Sequence, residues 1–180
     1  MKPAALWQAE HAYFRRLLER LQKEVEVFHS GERPNYALML DVISYLRDYG
    51  DHVHHRREDV AFARLKSRAP ELAPALARLE QEHRILARAG DTLAELLQEA
   101  LDGAVVARAE VEVAAATYLV YFGNHIAKEE EDVLPRAAKL LDAADWQAVG
   151  AAVPAASDPL FSERYRELRR EIALEARPAS

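Results

Sequence analysis

Histidine and glutamate recur in this chain at positions where a packed helix would otherwise keep only apolar side chains. Each of the four longest periodic segments carries one histidine in its apolar stripe, and two of them carry a glutamate four residues later. Buried ionisable groups are costly unless they are paired or bind a metal. The candidate metal ligands are His11, His54, Glu58, His83, His125 and Glu129.

This set of ligands narrows the choice of metal. Imidazole and carboxylate together suit iron, manganese or zinc, and the chain has no cysteine for metals that prefer thiolate. A single zinc ion takes about four ligands, so six converging ligands predict two metal ions. In each His-x-x-x-Glu pair the imidazole can bind one ion while the carboxylate bridges to the other. With vacant positions, such a site allows iron to react with O2-derived ligands.

The elements that must position these residues are helices. Strong helix formers dominate the composition, and no run of residues alternates as a β-strand would. We predict an all-α chain with four helices over about 3–29, 35–66, 70–101 and 106–141. Their apolar residues recur in steps of three and four, as the seam of an antiparallel four-helix bundle requires.

The lengths of the helices place the histidines at one depth. His11 and His54 lie about 20 residues on either side of the first break, and a rise of about 1.5 Å per residue brings them level. The same count over about 13 to 15 residues matches His54 with His83, and over about 20 residues matches His83 with His125. The sequence therefore predicts that all four histidines meet in one layer of the bundle.

We predict that residues 1–150 form the bundle with its metal site, and that 151–180 form a linker and an additional C-terminal helix. Asp142 can cap a short helix with Asp145 in its first turn. The net charge of −6 and the interspersed Lys and Arg argue against a nucleic-acid partner. No signal peptide and no apolar stretch of about 20 residues is visible, so we expect a cytoplasmic protein without a membrane partner.

The motifs resemble those of the hemerythrin-like (HHE cation-binding) domain family. The resemblance rests on His11, the run His54-His55-Arg56-Arg57-Glu58, the pair Glu82-His83 and the run His125-Ile126-Ala127-Lys128-Glu129-Glu130. It implies an up-down-up-down bundle holding two irons per chain with an oxo or hydroxo bridge. The ligand types allow manganese or zinc as substitutes. The six candidate ligands and a vacant metal position lead us to expect a diatomic or peroxide ligand: O2, peroxide or nitric oxide.

One position departs from the O2-carrying members of that family, which have a second histidine four residues after the one on the third helix. Here that position is Ala87. An open metal position is predicted there, which favours reactivity or sensing over reversible O2 storage, and whether the chain is an enzyme stays open. His55, next to His54, is predicted at the bundle edge or directly behind the ligands. The acidic run 130–132 is predicted on a solvated face, with a role in metal entry as the alternative.

Three other readings compete with a reactive two-iron site. A ferritin-like carboxylate site would need Glu-x-x-His on two helices, and only Glu80 to His83 supplies one. An iron or oxygen sensor without turnover would use the same ligands. A helical interaction protein with vestigial histidines would dock through 161–174, and no protein partner can be named from the sequence.

Overall fold

The helices of this chain follow the predicted periodic segments closely. The computed structural model describes residues 3–153, 163–166 and 168–170, and within them the structure is all-helical. In chain order the elements are α1 (Pro3–Ser30), α2 (Tyr36–Tyr45), a π-helical segment π1 (Leu46–His54), α3 (His55–Arg68), a 3₁₀ turn (Pro70–Leu72), α4 (Ala73–Leu101), α5 (Arg108–Lys128), a second π-helical segment π2 (Glu129–Val133), α6 (Leu134–Leu140), α7 (Ala143–Ala151) and a 3₁₀ turn (Glu163–Tyr165).

In the described part of the chain these elements form four long rods. Rod 1 is α1, rod 2 is the continuous run α2–π1–α3, rod 3 is α4, and rod 4 is the run α5–π2–α6. Rods 1 and 3 end where predicted, since Gly31 and Gly103 follow them with φ of 78° and 87°. Glycine adopts this left-handed conformation without the steric penalty of a Cβ. The Asn35 side chain caps the start of rod 2 by accepting the Leu38 N–H at 3.1 Å.

The π-helical segments are a feature that the apolar periodicity did not predict. The backbone N–H of His55 donates to the Gly50 carbonyl, and that of Leu134 donates to the Glu129 carbonyl. Both hydrogen bonds span five residues instead of the four of an α-helix. Such segments change which side chains face the core, and they are frequent at functional sites. One ends at His54 and the other begins at Glu129.

Two apolar clusters make up the core, and the predicted ligands lie between them. The first cluster includes Phe14, Leu46, Leu86 and Phe122. The second cluster includes Trp7, Ala61, Leu79 and Val133. On every rod the candidate ligands stand between a member of one cluster and a member of the other. A polar layer therefore crosses the apolar core at the depth where the sequence analysis placed the histidines.

The chain after rod 4 continues in α7, which packs against α3. Asp142 caps it as predicted, because its side chain accepts the Asp145 N–H at 3.0 Å while the Asp145 carboxylate accepts the Asp142 N–H at 3.1 Å. Trp146 of this helix meets Trp7 edge to face at 5.8 Å.

Only a short part of the predicted C-terminal helix belongs to the described residues. There, Tyr165 and Leu168 are buried in the first apolar cluster, and the Tyr165 hydroxyl donates to Asp48 at 2.6 Å. Most of the linker and helix predicted within 151–180 lies outside the described residues. The division of the chain at about residue 150 stays a prediction. Among the described helices, none combines the length and the apolarity that crossing a membrane requires.

Candidate metal centre

All six candidate ligands lie in the polar layer, and the structure brings them together. Rod 1 contributes one histidine, rod 3 contributes one histidine, and rods 2 and 4 each contribute a histidine and a glutamate. None of the six is more than 6% exposed. Their relative solvent exposures are His11 0%, His54 1%, Glu58 1%, His83 6%, His125 1% and Glu129 1%.

The Glu58 carboxylate stands between two pairs of imidazoles. Its Oε1 lies 2.8 Å from His54 Nε2 and 3.4 Å from His11 Nε2. Its Oε2 lies 3.3 Å from His83 Nε2. One carboxylate oxygen therefore faces His11 and His54, which we call subsite 1. The other faces the side of His83 and His125, which we call subsite 2.

Glu129 repeats this arrangement from the opposite helix. Its Oε2 lies 3.5 Å from His11 Nε2 at subsite 1. Its Oε1 lies 3.2 Å from His125 Nε2 and 3.5 Å from His83 Nε2 at subsite 2. The two buried carboxylates are thus shared, with one oxygen of each directed to each subsite. This is the geometry that two carboxylates bridging a pair of cations would use.

A ring of four outer carboxylates surrounds the four histidines. Each histidine directs Nε2 into the pocket and Nδ1 toward a carboxylate that belongs to a different rod. The pairs are His54 with Glu10 at 2.8 Å, His83 with Asp59 at 2.9 Å, His125 with Glu82 at 3.2 Å and His11 with Glu130 at 3.4 Å. Carboxylate partners of this kind fix the tautomer and orientation of metal-binding histidines.

The ring of carboxylates closes around the bundle. The carboxylate of rod 1 contacts the histidine of rod 2, that of rod 2 the histidine of rod 3, that of rod 3 the histidine of rod 4, and that of rod 4 the histidine of rod 1. Basic side chains hold three of the four carboxylates from outside. They are Arg57 on Glu10 at 2.6 Å, Lys128 on Glu82 at 2.5 Å and Arg15 on Glu130 at 2.9 Å. The hydrogen bond from His125, with Lys128 beside it, lowers the pKa of Glu82 to about 2.

The inner groups shift one another's ionisation strongly. Burial raises the pKa of Glu58, but the imidazoles around it, His54 foremost, outweigh burial and hold it well below its usual range. Burial lowers the pKa of His54, but Glu58 and Glu10 raise it to about 9. The pKa of His125 rises to about 9 against burial, mainly through Glu129. These shifts favour protonated His54 and His125 beside an ionised Glu58, and a bound cation would displace the protons of the two imidazoles.

Unpartnered polar atoms test whether a cation fits this pocket. In the described residues, His83 Nε2, His125 Nε2, Glu58 Oε2 and Glu129 Oε1 are buried and make no hydrogen bond. All four face subsite 2. Buried polar atoms without a partner are rare in native proteins, and four of them around one point are the donor atoms that a coordinated cation would satisfy. At subsite 1, His11 Nε2 and His54 Nε2 lie 3.0 Å apart.

Aromatic side chains wall the polar layer on both faces. The ring-centroid distances are Phe14 to His54 4.9 Å, Trp7 to His54 6.2 Å, Phe62 to His83 5.7 Å and Phe122 to His125 6.5 Å. An apolar shell of this kind limits the access of water and shapes what reaches a bound metal.

Two neighbouring residues differ from the first place predicted for them. His55 is not at the bundle edge, the first of its two predicted places: it is 3% exposed, and its ring stacks on His83 at 4.2 Å with 9° between the planes. The π-helical segment before His55 turns its side chain toward the core, away from the direction that an uninterrupted α-helix would give it. Glu130 is not on a solvated face, because it is half-buried between Arg15 and His11. Glu131 and Asp132 are exposed, as predicted.

Sequence reasoning missed three of the outer carboxylates, Glu10, Asp59 and Glu82. A signal for them exists, since each is the immediate sequence neighbour of a candidate ligand on its own rod. Their partners, however, lie on another rod, so only the packing of the rods assigns them.

Comparison with protein families agrees with the geometry of the centre. The family model of the hemerythrin HHE cation-binding domain matches residues 2–137, a range that contains every candidate ligand and every outer carboxylate. Searches among curated proteins and among solved structures found no match. The match covers most of the chain, and this chain belongs to the hemerythrin HHE cation-binding domain family.

Proposed function

We propose that this chain binds two metal ions, iron in the first place, and that the centre binds or reacts with a small oxidant: O2, peroxide or nitric oxide. The observation that carries the proposal is the sharing of both buried carboxylates between two sets of imidazoles. His11 and His54 would hold one ion, His83 and His125 the other, and Glu58 and Glu129 both.

The donor set supports iron, with manganese or zinc as substitutes. Imidazole nitrogen and carboxylate oxygen suit all three metals, and no thiolate competes because the chain has no cysteine. When bound, iron supplies the one-electron redox chemistry that side chains of these types lack. The chain's own contribution is to orient the imidazoles through the carboxylate ring and to keep water out with the aromatic wall.

We also infer that the four rods run up-down-up-down. The order of the apolar clusters along each rod supports this arrangement. Rods 1 and 3 pass from the second cluster to the first, as Trp7 precedes Phe14 and Leu79 precedes Leu86. Rods 2 and 4 pass from the first cluster to the second. The connections between successive rods are short, which suits antiparallel neighbours.

A small molecule would approach subsite 1 from the side of α1 and α7. A surface pocket of about 230 Å³ lies there, and its lining includes Trp7 and Glu10. These two residues also contact the His54 ring from behind, Trp7 at 6.2 Å between centroids and Glu10 at 2.8 Å from Nδ1. Trp7 and Glu10 therefore line the pocket on one side and contact the His54 ring on the other, which places the pocket next to subsite 1.

Metal content and spectra of the purified protein test this proposal. Protein made in iron-replete cells should contain about two irons per chain and show near-ultraviolet charge-transfer bands that change with azide, peroxide or nitric oxide. Glu129→Gln removes a shared carboxylate charge at nearly constant shape and should lose both the iron and the bands. The matched control is Glu131→Gln, two residues away and exposed. Folded wild-type protein without metal would rule the proposal out.

A metal sensor without turnover is the second candidate, and one observation favours it. Burial and Glu58 raise the pKa of Glu129, but His125 and His83 outweigh them and hold it below its usual range, so the two buried carboxylates depend on positive charge around them. Metal binding would then stabilise the packing of all four rods and couple iron supply to stability. If removal of iron with a chelator left the Tm and the protease resistance unchanged, this reading would be lost.

A further inference from the structure

His55 is the buried imidazole that the six-ligand scheme does not use. One ring nitrogen or carboxylate oxygen from each of His55, Glu58, His83 and His125 lies within 4.8 Å of the others. The His55 ring also stands nearly perpendicular to His125, at 5.4 Å and 85°. Its position is on the side of subsite 2, among the ligand atoms that lack a hydrogen-bond partner.

The environment of His55 matches that of the four histidines already assigned. Each of those directs Nδ1 toward a carboxylate and Nε2 into the pocket. His55 Nδ1 likewise faces a carboxylate, since Asp51 Oδ1 lies 3.1 Å away at the (i, i+4) position. Neither atom makes a hydrogen bond in the described residues. A carboxylate behind Nδ1 leaves Nε2 as the nitrogen available to a cation, as in other metal-binding histidines.

The backbone explains how adjacent histidines serve different subsites. In an α-helix, His54 and His55 would point about 100° apart, given 3.6 residues per turn. The π-helical segment inserts a wider turn just before this pair, and its last hydrogen bond runs from the His55 N–H to the Gly50 carbonyl. Both rings consequently face the core, one toward His11 and the other toward His83.

We propose that His55 provides a fifth imidazole ligand, at subsite 2. The ligand comes from rod 2, next in the chain to His54 of subsite 1. This inference rests on the proposed two-metal function. It gives the two subsites different numbers of protein ligands. Subsite 2 has three imidazoles and two shared carboxylates, whereas subsite 1 has two imidazoles and the same carboxylates. The open position for a small ligand therefore belongs to subsite 1.

X-ray absorption on the wild-type, iron-loaded protein tests the assignment without any mutation. Five imidazoles per pair of irons are expected, and four per pair would overturn the role of His55. Wild-type protein that takes up fewer than two irons would instead overturn the two-metal function itself, so the two failures are distinguishable.

A matched pair of variants supplies the second test. His55→Phe keeps a planar ring that can stack on His83 but removes the nitrogen, and His52→Phe makes the same change at an exposed position three residues earlier. In anaerobic Fe(II) titrations of metal-free protein, His55→Phe should bind one iron at least about tenfold more weakly, since even outer partners of ligands cost that much. His52→Phe should match the wild type. Unchanged binding of both irons by His55→Phe would make His55 a packing residue.

Discussion

The two subsites share the same pair of carboxylates and differ in what else surrounds them. Subsite 1 lies against a surface pocket, and its two imidazole nitrogens are 3.0 Å apart. Subsite 2 is lined by His83, His125 and the additional ring of His55, and four of its donor atoms lack a hydrogen bond in the described residues. In the proposed function, subsite 2 would anchor one metal, and subsite 1 would leave its metal open to a small molecule.

Removing a shared carboxylate should have the largest effect, because it breaks both subsites together. We expect Glu58→Gln to lose both metals, since a neutral amide cannot offset the charge of two cations. The measurement is iron per chain after purification, with Glu131→Gln as the exposed control. Retention of two irons by Glu58→Gln would show that the carboxylate is not shared between the metals.

Removing a histidine should separate the subsites. We expect His54→Ala and His83→Ala each to retain about one metal per chain, because each substitution removes a ligand from one subsite only. Azide binding, followed by its charge-transfer band, should survive in His83→Ala and vanish in His54→Ala. The opposite pattern would assign the open position to subsite 2.

Removing an outer carboxylate should weaken one subsite selectively. Glu10→Gln withdraws the charge behind His54 at subsite 1, and Asp59→Asn withdraws it behind His83 at subsite 2. Loss of such partners costs about 10- to 100-fold in metal affinity. Fe(II) titrations should therefore show one weakened binding step in each variant. Equal weakening of both steps in both variants would argue against separate subsites.

The stability of the metal-free and metal-loaded forms should respond to pH in opposite directions. The pKa values of His54 and His125 rise to about 9 in the folded chain. Protonation of these two imidazoles therefore contributes its full share to the free energy of unfolding below about pH 6.5, and this contribution is lost as the pH rises through 9. The Tm of metal-free protein should fall over that range. Metal competes with protons for the same nitrogens, so at fixed free metal its stabilising effect should grow instead. Parallel trends in the two forms would contradict the shared ligands.

The meeting of the six ligands was predictable because it depends on simple periodicity. Side chains three or four residues apart share a helix face, and the rise per residue converts chain length into depth. His11, His54, His83 and His125 fulfil both conditions in the sequence itself. Short connections between the rods then leave few ways to pack them, so counting residues from the breaks was enough.

The position of His55 was not predictable by the same reasoning. It depends on the π-helical segment Leu46–His54, and no residue type in that segment predicts a π-helical turn. The carboxylate ring was hidden for a different reason. Glu82 precedes His83 in the chain, but its hydrogen bond goes to His125 on the neighbouring rod. Partners of this kind are decided by tertiary packing, which sequence spacing does not encode.

The closed ring of carboxylates also bears on the order of events during biosynthesis. His11, His54, His83 and His125 each take their Nδ1 partner from a neighbouring rod, so one undocked rod disables two of them: its own and the one that its carboxylate supports. Undocking rod 2 or rod 4 would disable one histidine at each subsite, whereas undocking rod 1 or rod 3 would disable both histidines of one subsite and leave the other intact. Uptake of two metals would therefore come after all four rods have docked. Two metals bound to one chain would then indicate that its folding is complete.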